Sequence, residues 1–100
     1  MPYELEYFDE VENDVREAKS WYKEQKVGLE IRFTKAIETT IHHILQNPFS
    51  YALRYKKIRI AHPKIFPYNI HFYVDESLQK VTITAIVHGK RNQKTAKNRI

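Results

Sequence analysis

Residues 68–88, YNIHFYVDESLQKVTITAIVH, decide the architecture of this chain. Tyr68, Ile70, Phe72 and Val74 alternate with Asn69, His71 and Tyr73. Val81, Ile83, Ala85 and Val87 alternate with Thr82, Thr84, Ile86 and His88. A period of two, rich in β-branched and aromatic residues, marks a strand. The Asp75–Gln79 interval is short enough for a hairpin, so the two strands should pair antiparallel. Upstream, Ile58 and Ile60 alternate with Lys57 and Arg59, and a short loop at His62-Pro63-Lys64 adds this strand to make a meander of three. One face is expected to be apolar and to take helices. The other then carries Lys57, Arg59, Asn69, His71, Tyr73 and His88, because successive side chains point to opposite faces. The pattern leaves that basic face open.

Toward the N-terminus, Tyr3, Leu5 and Tyr7 alternate with Glu4 and Glu6, a short half-buried strand. Asp9 stands where a helix cap belongs, with Glu12 as capping-box partner and Phe8 as staple. Val11, Val15, Ala18 and Tyr22 then give a first helix from about Glu10 to Gln25, its stripe widened by Trp21. Gly28 ends it, since glycine takes a left-handed backbone at little cost. The second helix runs from about Leu29 to Gln46 on Leu29, Phe33, Ile37, Ile41, Ile44 and Leu45, and Asn47-Pro48 stops it. So short a connection makes an antiparallel helix hairpin, whose stripe is core packed on a sheet. Trp21 and Tyr22 are expected near Phe33 and Ile37 and against Phe72. The order βααβββ, with both helices on one side, is an α+β two-layer fold, and residues 1–100 form a single domain.

Acids and bases are sorted by halves. Residues 1–38 carry a net charge of −4 and residues 39–100 a net of +9, where Asp75 and Glu76 are the only acids. A surface of one sign attracts polyanions or acidic proteins. With no cysteine there are no disulfides, thiolate metal sites or Cys nucleophiles. No apolar run is long enough to span a bilayer and the acidic start is unlike a signal peptide, so the expected location is cytoplasmic, with no membrane partner.

Three readings of the basic face stand side by side. Lys57, Arg59 and Arg91 could hold a phosphate backbone while Tyr73 or Tyr68 stacks on a base. Cleavage would then need a His or Lys as general base and an Arg on the charged phosphorane. The same face could instead receive an acidic protein, or be solvated surface of no specific use. Lys57, Arg59 and Arg91 are expected on or beside this face and dispensable for folding, with a mobile basic tail behind Arg91. Adjacent His42 and His43 point about 100° apart on a helix and cannot share an ion. His62, His71 and His88 lack an accompanying carboxylate, so no metal is expected. No Gly-rich phosphate loop, zincin pair or Ser nucleophile motif occurs, and no cofactor is expected.

Ala18-x-x-Trp21-Tyr22, Gly28-Leu29, Phe33, Asn47-Pro48, Ile58-Arg59, Phe66-Pro67-Tyr68-x-Ile70 and Ala85-Ile86-x-His88-Gly89-x-Arg91 together resemble, in this order, the RelE/ParE superfamily of type II toxins. Phe-Pro-Tyr followed by His-x-x-Arg looks more like its ParE-type, plasmid-stabilisation branch. The resemblance implies a toxin neutralised by a cognate antitoxin with an acidic or amphipathic C-terminal segment. A ParE-type member would poison DNA gyrase without a cofactor. A RelE-type member would cut mRNA on the ribosome, and a degenerate one would bind antitoxin without toxicity. For an endoribonuclease the catalytic candidates are Lys57, Arg59, His71, His88 and Arg91. For antitoxin or target binding they are Lys57, Arg59, Tyr73, Arg91 and Lys94. The RelE pattern departs at Asn69, where it has an arginine, and at Lys97, where it has a catalytic tyrosine.

Overall fold

Helices α1 (Glu10–Gln25) and α2 (Leu29–Gln46) begin and end at the residues the periodicity marks. The computed structural model describes residues 3–100. Around the hairpin lie β1 (Glu4–Tyr7), β2 (Leu53–Tyr55), β3 (Ile58–Ala61), β4 (Tyr68–Asp75) and β5 (Lys80–His88), followed by α3 (Gln93–Asn98). The strands form one sheet in the order β1-β5-β4-β3-β2. Gly28, between the helices, has φ of 95°, and its N–H is accepted by Glu30 Oε1 at 2.9 Å. The expected capping box at Asp9 is absent. Asp9 is already helical, its side chain makes no cap bond, and Val11 N–H is accepted by Phe8 O instead.

The α+β two-layer order holds, with two additions to the sheet. β1 runs parallel to β5, since no short turn joins them and compels the antiparallel sense. β2 extends the other edge through a tight turn in which Lys56 has φ of 46°. Three residues are too few for alternation to reveal them.

Packing on the helix side follows the stripes. Phe33, Ile37, Ile41 and Ile44 meet Ile70, Phe72, Val81 and Ile83 in one buried cluster with Val11 and Ala18. Tyr22 joins this core, its ring 5.1 Å from Phe33 and 5.0 Å from Phe66. Trp21 does not: it is 47% exposed, one helix position outside the stripe.

The main departure from simple alternation is a bulge. His71 pairs with Ala85 and Phe72 with Ile83, so Thr84 is an extra residue in β5. Past it the faces exchange. Ile86 therefore joins the helix-side core, whereas Ala85 and Val87 turn to the second face and pack on Ala96 of α3. His88, opposite Tyr68, lies on the helix side as well. A second reversal occurs in β3, where Arg59 stands opposite Phe72 and Ala61 opposite Ile70 on the helix face, leaving Ile60 opposite His71 on the other. That second face is no open basic platform. α3 covers part of it, so apolar residues are buried on both sides of the central strands.

Candidate functional site

The basic residues singled out in the sequence fall into separate neighbourhoods. Arg59, on the helix-side edge, stacks its guanidinium 5.0 Å from the Phe49 ring centroid and donates a hydrogen bond to Tyr51 O. Tyr51 in turn sits edge-on to Phe72. Arg59 is thus bound into the structure, against the expectation that it is dispensable for folding. Arg59→Ala should lower stability by about 1.5–3 kcal/mol, the range for a hydrogen bond from a charged donor. Arg91→Glu, at an exposed position with no hydrogen bond to the core among the described residues, should stay within about 0.5 kcal/mol of wild type. Urea midpoints for the two variants check both values.

Lys57 lies in the β2–β3 turn with its Nζ 3.9 Å from the centroid of Tyr73. Tyr73 is half-buried, its ring edge-on to that of Phe8 at 6.4 Å. Lys94 is exposed on α3. The tail behind Arg91 is this helix, contrary to the expected mobile segment. It is fixed by Ala96 on the sheet and by Arg99 beyond its end.

Arg99 and Asp14 form an interaction that no motif announces. β1 pairs with β5 only as far as Ile83, so among the described residues the outer edge of β5 from Thr84 onward has no strand partner. Asp14, buried on α1, fills the gap: its Oδ2 accepts the Ile86 N–H at 3.0 Å. Arg99 donates to Asp14 Oδ2 at 2.7 Å and Oδ1 at 2.8 Å, and to Thr84 O at 3.1 Å. The planar guanidinium fork suits both acceptors at once. The carboxylate beside it holds Arg99 above the ordinary guanidinium value. One signal was present in the sequence: Asp14 sits on the apolar stripe between Val11 and Ala18, where an acid requires a partner.

His71 lies on the second face beside α3, 1% exposed. Its Nδ1 is 2.8 Å from Tyr55 Oη, and Nε2 is buried without a partner. Burial first, then the cations Arg54, Arg99 and Lys97, depress its pKa from 6.5 to about 4, with Asp14 opposing. The folded state therefore binds fewer protons than the unfolded chain between those values. This stability is present above pH 6.5 and is lost as pH falls toward 4. At about 1.4 kcal/mol per pH unit the loss is on the order of 3 kcal/mol. His71→Phe should flatten the fall in melting temperature over that window. An unchanged slope would show the ring to be solvated.

Arg91, His88 and Tyr68 do converge. With Glu17 and Trp21 they line a cleft of about 230 Å³ between α1 and the end of β5. The Arg91 guanidinium lies 5.8 Å from the Trp21 ring centroid, and His88 is edge-on to Tyr68 at 5.6 Å. Burial and the nearby Arg91 and Lys90 lower the His88 pKa, while burial raises that of Tyr68. Both rings are therefore neutral near pH 7. His88 Nδ1 accepts the Lys90 N–H at 3.1 Å, which puts the ring proton on Nε2 and leaves His88 a hydrogen-bond donor. The cleft can thus offer a cation, an aromatic surface and two neutral donors. Among the described residues, no three His, Asp or Glu side chains come together as metal ligands. His62, His71 and His88 lie in a loop, on the second face and on the helix side respectively.

Comparison with known proteins agrees with this architecture. The chromosomal ParDE system from P. aeruginosa superposes with a TM-score of 0.74 over 86% of this chain and 95% of that one, at 13% identity. The intact E. coli RelBE toxin–antitoxin complex gives 0.63 over 89% and 99%, at 15% identity. The isolated E. coli RelE toxin gives 0.63 over 96% and 94%, at 14% identity. At such identities the likeness concerns the fold alone. No curated protein matches in sequence. Residues 5–93, however, match the family described as the ParE toxin of the type II toxin–antitoxin system parDE. Spanning nearly the whole βααβββ unit, that match establishes that the chain belongs to the ParE toxin family, within the RelE/ParE superfamily of type II toxins.

Proposed function

We propose that this toxin acts by binding DNA gyrase, without a covalent step of its own, and that a cognate antitoxin neutralises it. One observation carries the reading: neither His71 nor His88 presents an accessible, unpaired acceptor nitrogen. His71 is buried with one nitrogen on Tyr55, and His88 spends its acceptor on Lys90 N–H. A general base must reach the proton it removes. Arg59 is committed to Tyr51 and Lys57 to Tyr73, so the cations disperse around the molecule. Trp21 is exposed with Arg91 beside it, a pairing suited to protein recognition. The target places the protein in the cytoplasm, and among the described residues no helix is long and apolar enough to cross a membrane.

One observation favours the second reading, a ribosome-dependent mRNA endonuclease. Arg91, His88 and Tyr68 share one cleft, an arrangement able to hold a phosphate. Purified protein distinguishes the two. It should impede supercoiling by gyrase and leave ribosome-bound mRNA intact. Codon-specific cleavage with unimpaired supercoiling would reverse the order.

A further inference from the structure

The side of α2 away from α1 borders a groove of about 440 Å³, closed on its far wall by the 62–66 loop. Arg32, Thr39 and His43 recur along one stripe of the helix, with Lys35 beside them, and His62 and Lys64 stand opposite. Among the described residues no acid lines the groove. Among the described residues, Arg32, Lys35 and Lys64 take part in no ion pair. Cations gathered without counter-charges repel one another unless something anionic joins them.

The loop adds a second feature. Ile65 has φ of 78° and is 80% exposed. A β-branched residue is strained in that region, and such strain persists where surrounding structure imposes it. Here it holds an aliphatic side chain outward at the rim of a basic groove.

We infer that this groove receives an acidic segment of the antitoxin, with carboxylates on Arg32, Lys35 and Lys64 and an aliphatic side chain against Ile65. The inference rests on the reading of the protein as an antitoxin-neutralised toxin. Nucleic acid fits the groove less well, because single strands are held by stacking on exposed aromatic rings. The two aromatic residues here are occupied. Phe66 is buried against Tyr22 and Phe33, and Tyr51 packs on Phe72. From Arg32 to His43 the helical wall extends roughly 16 Å, room for about five residues of extended chain.

The test is titration of the toxin with its cognate antitoxin at 0.15 M salt, where charges beyond about 8 Å are screened. The double variant Arg32→Glu/Lys64→Glu should bind at least about tenfold more weakly, as two attractive contacts become repulsive. Its circular dichroism should match wild type. Lys19→Glu/Lys26→Glu, the same charge change outside the groove, should stay within about twofold of wild type. Equal affinity of the groove variant and wild type would overturn the inference, and so would equal loss in the two variants. Displacement of antitoxin by a twelve-nucleotide RNA from wild type but not from the groove variant would overturn it too, assigning the groove to nucleic acid. If wild-type toxin fails to bind antitoxin at all, the toxin–antitoxin reading itself falls, a result distinct from the others.

Discussion

Asp14→Ala should lower the melting temperature by more than about 12 °C. Removing one partner of a buried ion pair costs about 3–5 kcal/mol, and each kcal/mol moves the midpoint of a domain this size by roughly 4–8 °C. The side chains of Arg99 and Asp14 are only 12% and 7% exposed, so little solvent screening relieves the stranded guanidinium. The same substitution frees the Ile86 N–H at an edge that β1 does not reach. Arg99→Met should cost less, because Asp14 keeps its backbone donor. The double variant Asp14→Leu/Arg99→Met should fall well short of the sum of the single changes, as both charges disappear together. Thermal melts of the set test the clasp. An Asp14→Ala variant melting within 3 °C of wild type would mean that water, and not Arg99, satisfies the carboxylate.

Phe33→Ala should cost a comparable amount, about 3–5 kcal/mol. Phe33 is fully buried, with the rings of Tyr22, Phe66 and Tyr68 at 5.1, 5.3 and 5.0 Å. This aromatic cluster ties α1, α2 and the start of β4 together, so truncation opens a cavity that three elements would have to close. A domain of this kind has about 5–15 kcal/mol in total, so the variant should be partly unfolded at 37 °C. Phe33→Leu, nearer in volume, should cost less than half as much. Urea denaturation measures both, and an unchanged midpoint for Phe33→Ala would place the core elsewhere.

The helix hairpin and the meander were legible because their apolar periods are long and their stops, Gly28 and Asn47-Pro48, are chemically explicit. What the sequence concealed has particular causes. The bulge at Thr84 is followed by Ala85-Ile86-Val87, three apolar residues in a row, so nothing in the pattern shows the faces exchanging. α3 has one apolar residue, Ala96, and no amphipathic stripe to announce it. Those two features, together with the reversal in β3, account for most of the misplaced site. Without them, Arg59, His71 and His88 looked like neighbours on an open face, whereas the register puts His71 beside α3 and the other two on the helix side. The groove along α2 was missed for a different reason. Arg32 and Lys35 lie in the acidic half and meet His62 and Lys64 only through the fold.

The proposed origin of toxicity is engagement of a protein target and not cleavage of RNA. Its most direct test is induction of the wild-type chain in a heterologous bacterium, with DNA breaks and the SOS response read beside the 5′ ends of cellular mRNA. Breaks and SOS induction with no codon-phased cleavage are expected. Cleavage at ribosome-bound codons without DNA damage, abolished by Arg91→Ala, would contradict it.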